Sequence, residues 1–238
     1  MKKIVLTGSA TGFGLLAVKS LAAKGHTVFA TMRNINAANA QAAADIRNWA
    51  KKQSADVRVV ELDVTSDASV KTAIGEIASA AGGQIDVLIN NAGLGFTGVS
   101  ESLTTAQTEQ LFQVNVIGAD RLIKAVLPYM HKQKEGLIVN VTSVQARNHI
   151  PLLTTYNATK AALDALSVGY HYELRSLGID VAIIQPGGLS DHGYRLERPE
   201  SRQPLGGITI RPRYDRGETR FGTGVYPHRN KPRPTGSG

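Results

Sequence analysis

The chain has 238 residues, of which 42% are apolar and 19% charged, a composition typical of a globular protein with a single well-buried domain. It contains no cysteine, which excludes disulfides, thiolate metal sites and cysteine nucleophiles. The formal net charge is +8, but residues 1–189 carry 17 Lys and Arg against 14 Asp and Glu, so this part of the chain lacks the basic excess of a nucleic-acid-binding domain.

The N-terminus and the apolar runs indicate neither export nor membrane insertion. The run that follows the first two lysines is three residues long before Thr7 and Gly8, whereas a secretory leader needs roughly 7–15 apolar residues. No later stretch reaches the roughly 18 apolar residues that span a bilayer. The sequence therefore predicts a cytoplasmic protein without membrane association.

Six short β-branched runs alternate with longer helical segments over residues 1–189. The runs are KKIVLTG, HTVFATM, VRVVEL, IDVLIN, GLIVNVTS and DVAIIQP, and the helical segments lie near 12–24, 36–52, 66–81, 104–133 and 154–177. This alternation predicts βαβ units on a parallel sheet, and the nearly continuous apolar runs predict strands buried on both faces. We therefore expect an α/β fold, a Rossmann-like doubly wound parallel sheet with helices on both faces.

The segment TGSATGFG, residues 7–14, lies between the first predicted strand and the first predicted helix. Its glycines at positions 8, 12 and 14 allow the backbone to turn tightly and to approach a ligand without interference from Cβ. The free N–H groups and the positive dipole end of the helix suit a pyrophosphate. Glycines also serve simple turns, but a strand–turn–helix of this kind is the context that a dinucleotide site requires.

A phenol and an amine lie four positions apart in YNATK, as Tyr156 and Lys160. On a helix this spacing is about one turn, so both side chains face the same way. Such pairs also occur by chance on solvated helices. Beside a redox cofactor, however, the ammonium group would lower the pKa of the phenol and make it a proton donor and acceptor.

Seven motifs in order along residues 1–189 closely resemble the short-chain dehydrogenase/reductase family. They are TGSATGFG at 7–14, LDVT at 62–65, NNAG at 90–93, Asn115 in VNVIG, Ser143 in NVTS, YNATK at 156–160 and PGG at 186–188. The glycine spacing G-x-x-x-G-x-G differs from the G-x-G-x-x-G of other dinucleotide folds. The resemblance implies an NAD(P)-binding, Rossmann-type catalytic domain over residues 1–189.

The resemblance also implies four catalytic residues. Tyr156 would be the general acid in carbonyl reduction and the general base in alcohol oxidation, and Lys160 would bring its pKa down from the usual value near 10. Ser143 would hydrogen-bond the substrate oxygen. Asn115 would belong to a water-linked relay that passes the proton to solvent. Each residue alone has another interpretation: Ser143 as a helix cap or turn residue, and Asn115 as a residue that forms a hydrogen bond within a helix.

The cofactor contacts that the resemblance implies are spread over the first six strands. Asn90 would also connect adjacent strands, Asp63 would accept from the adenine amino group, and Pro186 with Gly187 would flank the nicotinamide. The full set is Gly8, Ser9, Thr11, Gly12, Phe13, Gly14, Arg33, Asp63, Val64, Asn90, Ala92, Gly93, Tyr156, Lys160, Pro186 and Gly187.

The end of the second strand favours NADP(H) and leaves NAD(H) open. NAD-preferring members carry an acidic residue there, whereas this strand ends VFATMRN, and Arg33 suits a 2′-phosphate by charge and by its fork of donors. A solvated loop arginine is the alternative interpretation. Thr11 stands where many NADP-dependent relatives carry a basic residue, which weakens the argument.

The sequence gives little information on the identity of the substrate. The segment VQARNHIPLLTTY after Ser143 should line the pocket, and its Gln145 and Ile150, with Ser143 and Tyr156, are the expected substrate contacts. Its apolar residues are compatible with a ketone or secondary alcohol of a hydrophobic molecule, and no metal site is expected. The helices near 104–133 and 154–177 pair subunits in this family, so the resemblance implies a homodimer or homotetramer.

Residues 190–238 differ in composition from the rest of the chain. They contain no alanine, are dense in Pro and Gly, and carry 10 Lys and Arg against 5 Asp and Glu. No family-like substrate lid or last strand is recognisable there, so a poorly ordered tail is expected. The abrupt change after about residue 188 suggests a coding-frame change, and a normal dehydrogenase C-terminus in another frame of the coding DNA would support that hypothesis.

Two other functions remain open alongside an oxidoreductase. The chain could be a nicotinamide-nucleotide-binding protein with little or no turnover, because a missing lid and last strand would weaken substrate binding. The basic tail could instead lend salt-sensitive affinity for nucleic acid, but it lacks aromatic interleaving and any recognisable reader motif, so no specific nucleic-acid partner is expected.

Overall fold

The computed structural model describes residues 1–187 and contains a six-stranded, entirely parallel sheet. The strands are β1 (Lys3–Thr7), β2 (Thr27–Met32), β3 (Val57–Glu61), β4 (Val87–Asn90), β5 (Gly136–Val141) and β6 (Ile179–Ile184). The helices are α1 (Gly12–Ala23), α2 (Ala40–Gln53), α3 (Asp67–Ala80), α4 (Thr105–Phe112), α5 (Gly118–Gln133) and α6 (Thr154–Leu174). The predicted α/β fold with a doubly wound parallel sheet is confirmed.

The strand order is β3-β2-β1-β4-β5-β6, so the chain reverses its direction across the sheet between β3 and β4. The carboxyl ends of β1 and β4 therefore lie side by side with their connections leading to opposite faces. This is the topological switch point at which open α/β sheets bind their ligands.

Two apolar clusters cover the two faces of the sheet. One joins Val5, Leu88 and Ile138 of the strands to α3, α5 and the end of α6. The other joins Leu6 and Val28 to α1 and α2. Successive strand residues point to opposite faces, which explains why the central strands are apolar throughout.

Two helix boundaries differ from the expectation. Helix α2 begins at residue 40 rather than 36, because the backbone amides of Ala37 and Asn39 both donate to the carbonyl of Asn34 and close a turn. The segment predicted as one helix over 104–133 is α4 and α5 joined by a π-helical turn at Gln113–Ile117. Such turns are frequent at functional sites.

Within residues 1–187, no helix combines the length and the apolar character that crossing a membrane requires. The cytoplasmic location stays a prediction. The expected tail at 190–238, the altered segment after Gly187 and the proposed frame change lie outside the described residues.

Candidate active site

The glycine-rich turn between β1 and α1 packs directly on the start of the loop after β4. A Cβ on Gly8, whose φ is +69°, would lie 2.8 Å from the Cα of Ala92. A Cβ on Gly14 would lie 2.1 Å from the carbonyl oxygen of Gly8. Gly12 has a φ of +54° and open space around its missing Cβ. The first two glycines are thus required for close packing, whereas Gly12 leaves the backbone accessible.

Thr7 and Asn91 hold this turn in place. The Thr7 hydroxyl oxygen accepts the backbone amides of Asn91 and Ala92, both at 3.0 Å. In return, the Asn91 amide Nδ2 donates to the carbonyls of Thr7 and Gly8 at 2.9 and 3.1 Å. These bonds connect residues about 84 positions apart and fix the carboxyl ends of β1 and β4 against each other.

A cleft of about 430 Å³ opens at this edge of the sheet, within the size range of cofactor sites. Twelve of the residues predicted as cofactor contacts line it: Gly8, Thr11, Gly12, Phe13, Arg33, Asp63, Val64, Ala92, Gly93, Tyr156, Lys160 and Pro186. The cleft therefore brings the glycine-rich turn, the end of β2 and the YNATK helix to one site.

The remaining predicted cofactor residues do not line the cleft. Ser9 is buried, and its backbone amide and hydroxyl donate to the carbonyls of Thr31 and Leu6. Gly14 packs against the turn, and Gly187 is exposed. For these three residues a cofactor contact stays a prediction.

Asn90 connects β4 to β5, the strand-joining role that the family resemblance implies. Its Nδ2 donates to the side-chain oxygen of Asn140 on β5 at 2.9 Å, and Asn140 in turn donates to the Ser167 hydroxyl of α6 at 2.8 Å. All three side chains are buried. The chain of bonds fixes the distance between β4, β5 and α6, while a direct cofactor contact of Asn90 stays a prediction.

Asn115 lies in the π-helical turn between α4 and α5, where its side chain is almost completely buried. Its Oδ1 accepts the backbone amide of Leu94 at 2.7 Å, and its Nδ2 donates to the carbonyl of Leu94 at 2.8 Å and to the Thr159 hydroxyl at 2.9 Å. The extra residue of a π turn directs this side chain toward the loop after β4. Asn115 thereby joins that loop to α6.

Tyr156 and Lys160 lie one turn apart near the start of α6, and both are about 4% exposed. The Lys160 ammonium lies 5.6 Å from the centre of the Tyr156 ring and donates to the carbonyl of Val141 at 3.0 Å. A Cβ on Gly93 would lie 3.6 Å from both the Lys160 ammonium and the Asn115 oxygen. Tyr156 and Lys160 therefore lie together in the wall of the cleft, and the Asn115 side chain, which is not among the described lining residues, lies beside Gly93.

Burial controls the charge of Lys160. Loss of hydration lowers its pKa from 10.5 to about 8, and the carboxylate of Asp164, one turn further along α6, raises the pKa and offsets part of this effect. Asp164 also accepts from the Gln185 amide at 2.6 Å, and it lies 3.7 Å from the Arg147 guanidinium. It thus connects α6 to the segment before Pro186.

The expected substrate side is more open. Ser143 is buried and directly follows Thr142, which lines the cleft. The Ser143 hydroxyl donates to the Gln145 side chain and accepts a hydrogen bond from the Gln145 backbone amide. Gln145 is half-buried, whereas the side chain of Ile150 is 45% exposed. The substrate roles of these residues stay predictions.

Sequence reasoning missed ten residues that line the cleft: Ala10, Met32, Asn39, Leu62, Asn91, Leu94, Gly95, Val114, Val141 and Thr142. Five of them end a strand or directly follow one: Met32, Leu62, Asn91, Val141 and Thr142. Strand position is a signal for these five, because the carboxyl ends of parallel strands share one edge of the sheet. The signal for Asp164 is its spacing, since it follows Lys160 by four positions, as Lys160 follows Tyr156 on the same helix.

The groups that line the cleft are chemically suited to a dinucleotide. The N-terminus of α1 offers backbone N–H groups beside Gly12, whose backbone is accessible, and these groups suit a pyrophosphate. Arg33 and Lys160 add cationic groups at separate places along the same cleft. Fold and cleft together define a Rossmann-type dinucleotide-binding protein.

The comparisons with known proteins give the narrower class. The family model described as short chain dehydrogenase matches residues 2–198. The chain belongs to the short-chain dehydrogenase family.

Two curated relatives and two solved structures illustrate the range of this family. The chain is 35% identical over 184 residues to a 3-ketodihydrosphingosine reductase of Bacteroides thetaiotaomicron, covering 77% of this chain and 62% of that protein. It is 33% identical over 189 residues to human retinol dehydrogenase 8, covering 78% and 58%. The chain thus spans about three fifths of these relatives' length.

The structures carry different nicotinamide cofactors. A gluconate 5-dehydrogenase from Burkholderia cenocepacia in complex with NADP and tartrate matches with a TM-score of 0.72 and 28% identity, over 78% of this chain and 71% of that one. A 3-ketoacyl-(acyl-carrier-protein) reductase from Brucella melitensis complexed with NADH matches with a TM-score of 0.72 and 27% identity, over 78% and 75%.

Proposed function

We propose that this protein is an NADP-dependent oxidoreductase that interconverts a carbonyl group and a secondary alcohol, with a hydrophobic ketone as the substrate class. The observation that carries the proposal is that Tyr156 and Lys160 line the same cleft as the glycine-rich turn, with the Asn115 oxygen close to Gly93 in the wall of that cleft. That arrangement supports a role for the Tyr156 phenol as a proton donor beside a site suited to a dinucleotide.

Tyr156 is the proposed proton donor in reduction and the proton acceptor in oxidation. A nicotinamide held in the cleft would supply or accept the hydride. The Lys160 ammonium, 5.6 Å from the tyrosine ring, stabilises the phenolate and so lowers the barrier to proton transfer near neutral pH. Because burial brings the pKa of Lys160 itself to about 8, this lysine is mostly charged at pH 7 and loses its charge in mildly alkaline solution.

Ser143 and Asn115 are proposed to support the reaction from two sides. The Ser143 hydroxyl would leave its Gln145 partner to hold the substrate oxygen toward Tyr156. Asn115 keeps the second lone pair of its oxygen after accepting from Leu94, and that lone pair can hold a water between Lys160 and solvent. Asn115 would thus take part in returning the proton to bulk water.

Arg33 is the basis for proposing NADP rather than NAD. It lines the cleft at the end of β2, where no carboxylate competes for a ribose hydroxyl. Its guanidinium can bind a 2′-phosphate with two parallel hydrogen bonds. Asp63 lines the same cleft, and its Oδ1 already accepts from the backbone and the hydroxyl of Thr65, which favours an adenine contact through its other oxygen.

The proposed substrate class rests on the apolar residues after Ser143 and on two relatives. One relative is named for reducing a ketosphingoid base and the other for oxidising retinol, and both names describe large hydrophobic molecules. We propose a substrate of similar character here, bound between Gln145, Ile150 and the catalytic pair. A homodimer or homotetramer formed through α5 and α6 is proposed on the same family resemblance.

The first test is a thermal-shift titration of the full chain with NADPH and, separately, with NADH. We expect a cooperative melt that rises with both cofactors and rises more with NADPH. A rise of equal size with both would contradict the role of Arg33, and no rise with either would contradict the cofactor site. A panel of hydrophobic ketones, followed by the loss of NADPH absorbance, then tests turnover.

A nicotinamide-nucleotide-binding protein with little turnover is the second candidate. One observation favours it: in the described part of the chain, residues 147–152 of the expected substrate side are exposed, so they do not form a closed substrate pocket. The two candidates separate in one measurement. A cofactor-dependent melt without turnover on any ketone or alcohol of the panel supports the binding protein.

A further inference from the structure

The loop that carries Arg33 is attached through its backbone to a glutamate of the neighbouring strand. Glu61 ends β3 and pairs in register with Met32, the last residue of β2. Its two carboxylate oxygens accept the backbone amides of Asn34 and Ile35 at 2.6 and 2.8 Å. One side chain thus fixes the two peptide groups that directly follow Arg33.

Asn39 completes the attachment of this loop. Its Nδ2 donates to the carbonyl of Arg33 at 2.6 Å, and its backbone amide donates to the carbonyl of Asn34 at 3.0 Å. Asn34 adopts a φ of +55°, a left-handed conformation that is uncommon without glycine. The loop therefore adopts a defined turn that depends on specific hydrogen bonds.

Glu61 lies behind the loop rather than in the cleft. Arg33 and Asn39 line the cleft, whereas Glu61, Asn34 and Ile35 are not among the described residues that do. Among the described residues, the ion pairs do not include one between Arg33 and Glu61. Glu61 consequently acts on Arg33 through the backbone.

We propose that Glu61 is a positioning residue that determines cofactor specificity by holding the Arg33 loop in the conformation that binds the 2′-phosphate of NADP. The inference rests on the proposed function, in which Arg33 contacts that phosphate. A carboxylate suits this task because it accepts at both oxygens and donates at neither, and its hydrogen bonds to backbone amides are charge-assisted.

An exposed arginine without this support would lose the advantage of a preformed site. Arg33 is exposed and has a long side chain, so a mobile backbone beneath it would add to the entropy lost on binding the phosphate. That loss affects only the ligand that carries the phosphate. Removal of the Glu61 side chain should therefore weaken the binding of NADPH and leave the binding of NADH almost unchanged. General damage to the fold would instead weaken the binding of both cofactors.

The test measures dissociation constants of NADPH and NADH for the full chain by calorimetry, which needs no turnover. We expect Glu61→Ala to raise the constant for NADPH about tenfold and that for NADH less than twofold. Glu61→Gln, which keeps one acceptor oxygen, should give about a threefold rise for NADPH. Glu76→Ala removes an exposed glutamate of α3 and serves as the matched control, with both constants unchanged.

A double variant tests whether Glu61 acts through Arg33. In the Arg33→Ala background, Glu61→Ala should have no further effect on NADPH, because the group it positions is already gone. An equal loss of NADPH affinity in both backgrounds would overturn the inference. Tighter binding of NADPH by the Glu61→Ala variant would also overturn it, because that result would mean that the carboxylate repels the phosphate. A parent chain that does not prefer NADPH overturns the proposed function as well, whereas a preference that survives Glu61→Ala overturns this inference alone.

Discussion

Lys160 is a buried lysine whose charge costs the folded chain free energy. Its pKa falls from 10.5 to about 8 because burial removes water from the ammonium. Between these two values the unfolded chain binds more protons than the folded chain, so folding stability rises with pH across that window. Below pH 8 the ammonium is charged in both states and the cost is fully present.

Lys160→Met should remove this pH dependence. We expect the unfolding free energy of the parent chain, relative to the variant, to rise by on the order of 2 kcal/mol from pH 7 to pH 10. Urea unfolding at several pH values measures it, and subtracting the variant removes the titration of the other groups. A constant difference across this range would show that Lys160 keeps a normal pKa.

Tyr156→Phe should abolish turnover without abolishing cofactor binding. Loss of the hydroxyl removes the proposed proton donor, an effect of about 10²–10⁴-fold on kcat. The buried ring is kept, so the chain should still fold and still bind NADPH. Steady-state kinetics on the ketone panel, with a parallel cofactor titration, measure both. Retained turnover would exclude Tyr156 as the proton donor.

The sequence predicted these two residues because their relation is local. Tyr156 and Lys160 are four positions apart on one helix, and helix periodicity alone places them together. The supporting contacts of Thr7 with Asn91 and of Glu61 with Asn34 are between segments that meet only in the folded sheet. Hydrophobic pattern and spacing carry no information on such polar pairs, so they were found only in the structure.

At the scale of elements, the turn between β1 and α1 offers a sharp test of close packing. Gly14→Ala would place a methyl group 2.1 Å from the Gly8 carbonyl and 2.6 Å from the Asn91 amide, so this junction must shift. We expect a loss of about 1–3 kcal/mol in unfolding free energy and a smaller thermal shift with NADPH.

Gly75→Ala on the exposed face of α3 is the matched control. A Cβ there meets nothing within 4 Å, and the backbone is helical. Alanine should therefore stabilise the chain by about 0.5–1 kcal/mol. Urea unfolding of both variants gives the comparison, and equal effects at the two positions would contradict the packing argument.

The elements themselves were predictable, but their junctions were not. All six strands follow from short β-branched runs, since both faces of the sheet are covered and the central strands are apolar throughout. The π-helical turn at Gln113–Ile117 was not predicted, since one helix was expected over residues 104–133. One extra residue changes the helical phase by about 100°, and the later apolar residues of α5 then follow a regular pattern again.

At the scale of the whole molecule, the exposed apolar residues of α6 bear on assembly. Val168 and Tyr172 are one turn apart on the same helix and are 43% and 76% exposed. If α5 and α6 pair subunits as proposed, Tyr172→Glu should shift the chain toward the monomer in sedimentation velocity. Leu16→Glu on α1, where the leucine is 52% exposed, is the control that should not. A monomeric parent chain would contradict the proposed assembly.

The architecture of the whole sheet could be predicted because it follows from connection rules. Alternating strands and helices with right-handed crossovers leave few possible topologies, and the observed order is one of them. The cofactor preference is harder to predict, because the proposed NADP site depends on the conformation of one loop, which Glu61 of β3 and Asn39 hold. Arg33 is visible in the sequence, while the turn that presents it is a property of the folded molecule.

The adjacency of β1 and β4 also determines when the site can form during synthesis. Strand β1 pairs with residues 87–89, and Thr7 accepts the amides of residues 91 and 92, so the turn that follows β1 lacks half of its support until those residues leave the ribosome. At roughly 5–20 residues per second this takes on the order of 5–20 s. Throughout that interval β1 lacks its β4 partner, and the proposed dinucleotide site is incomplete.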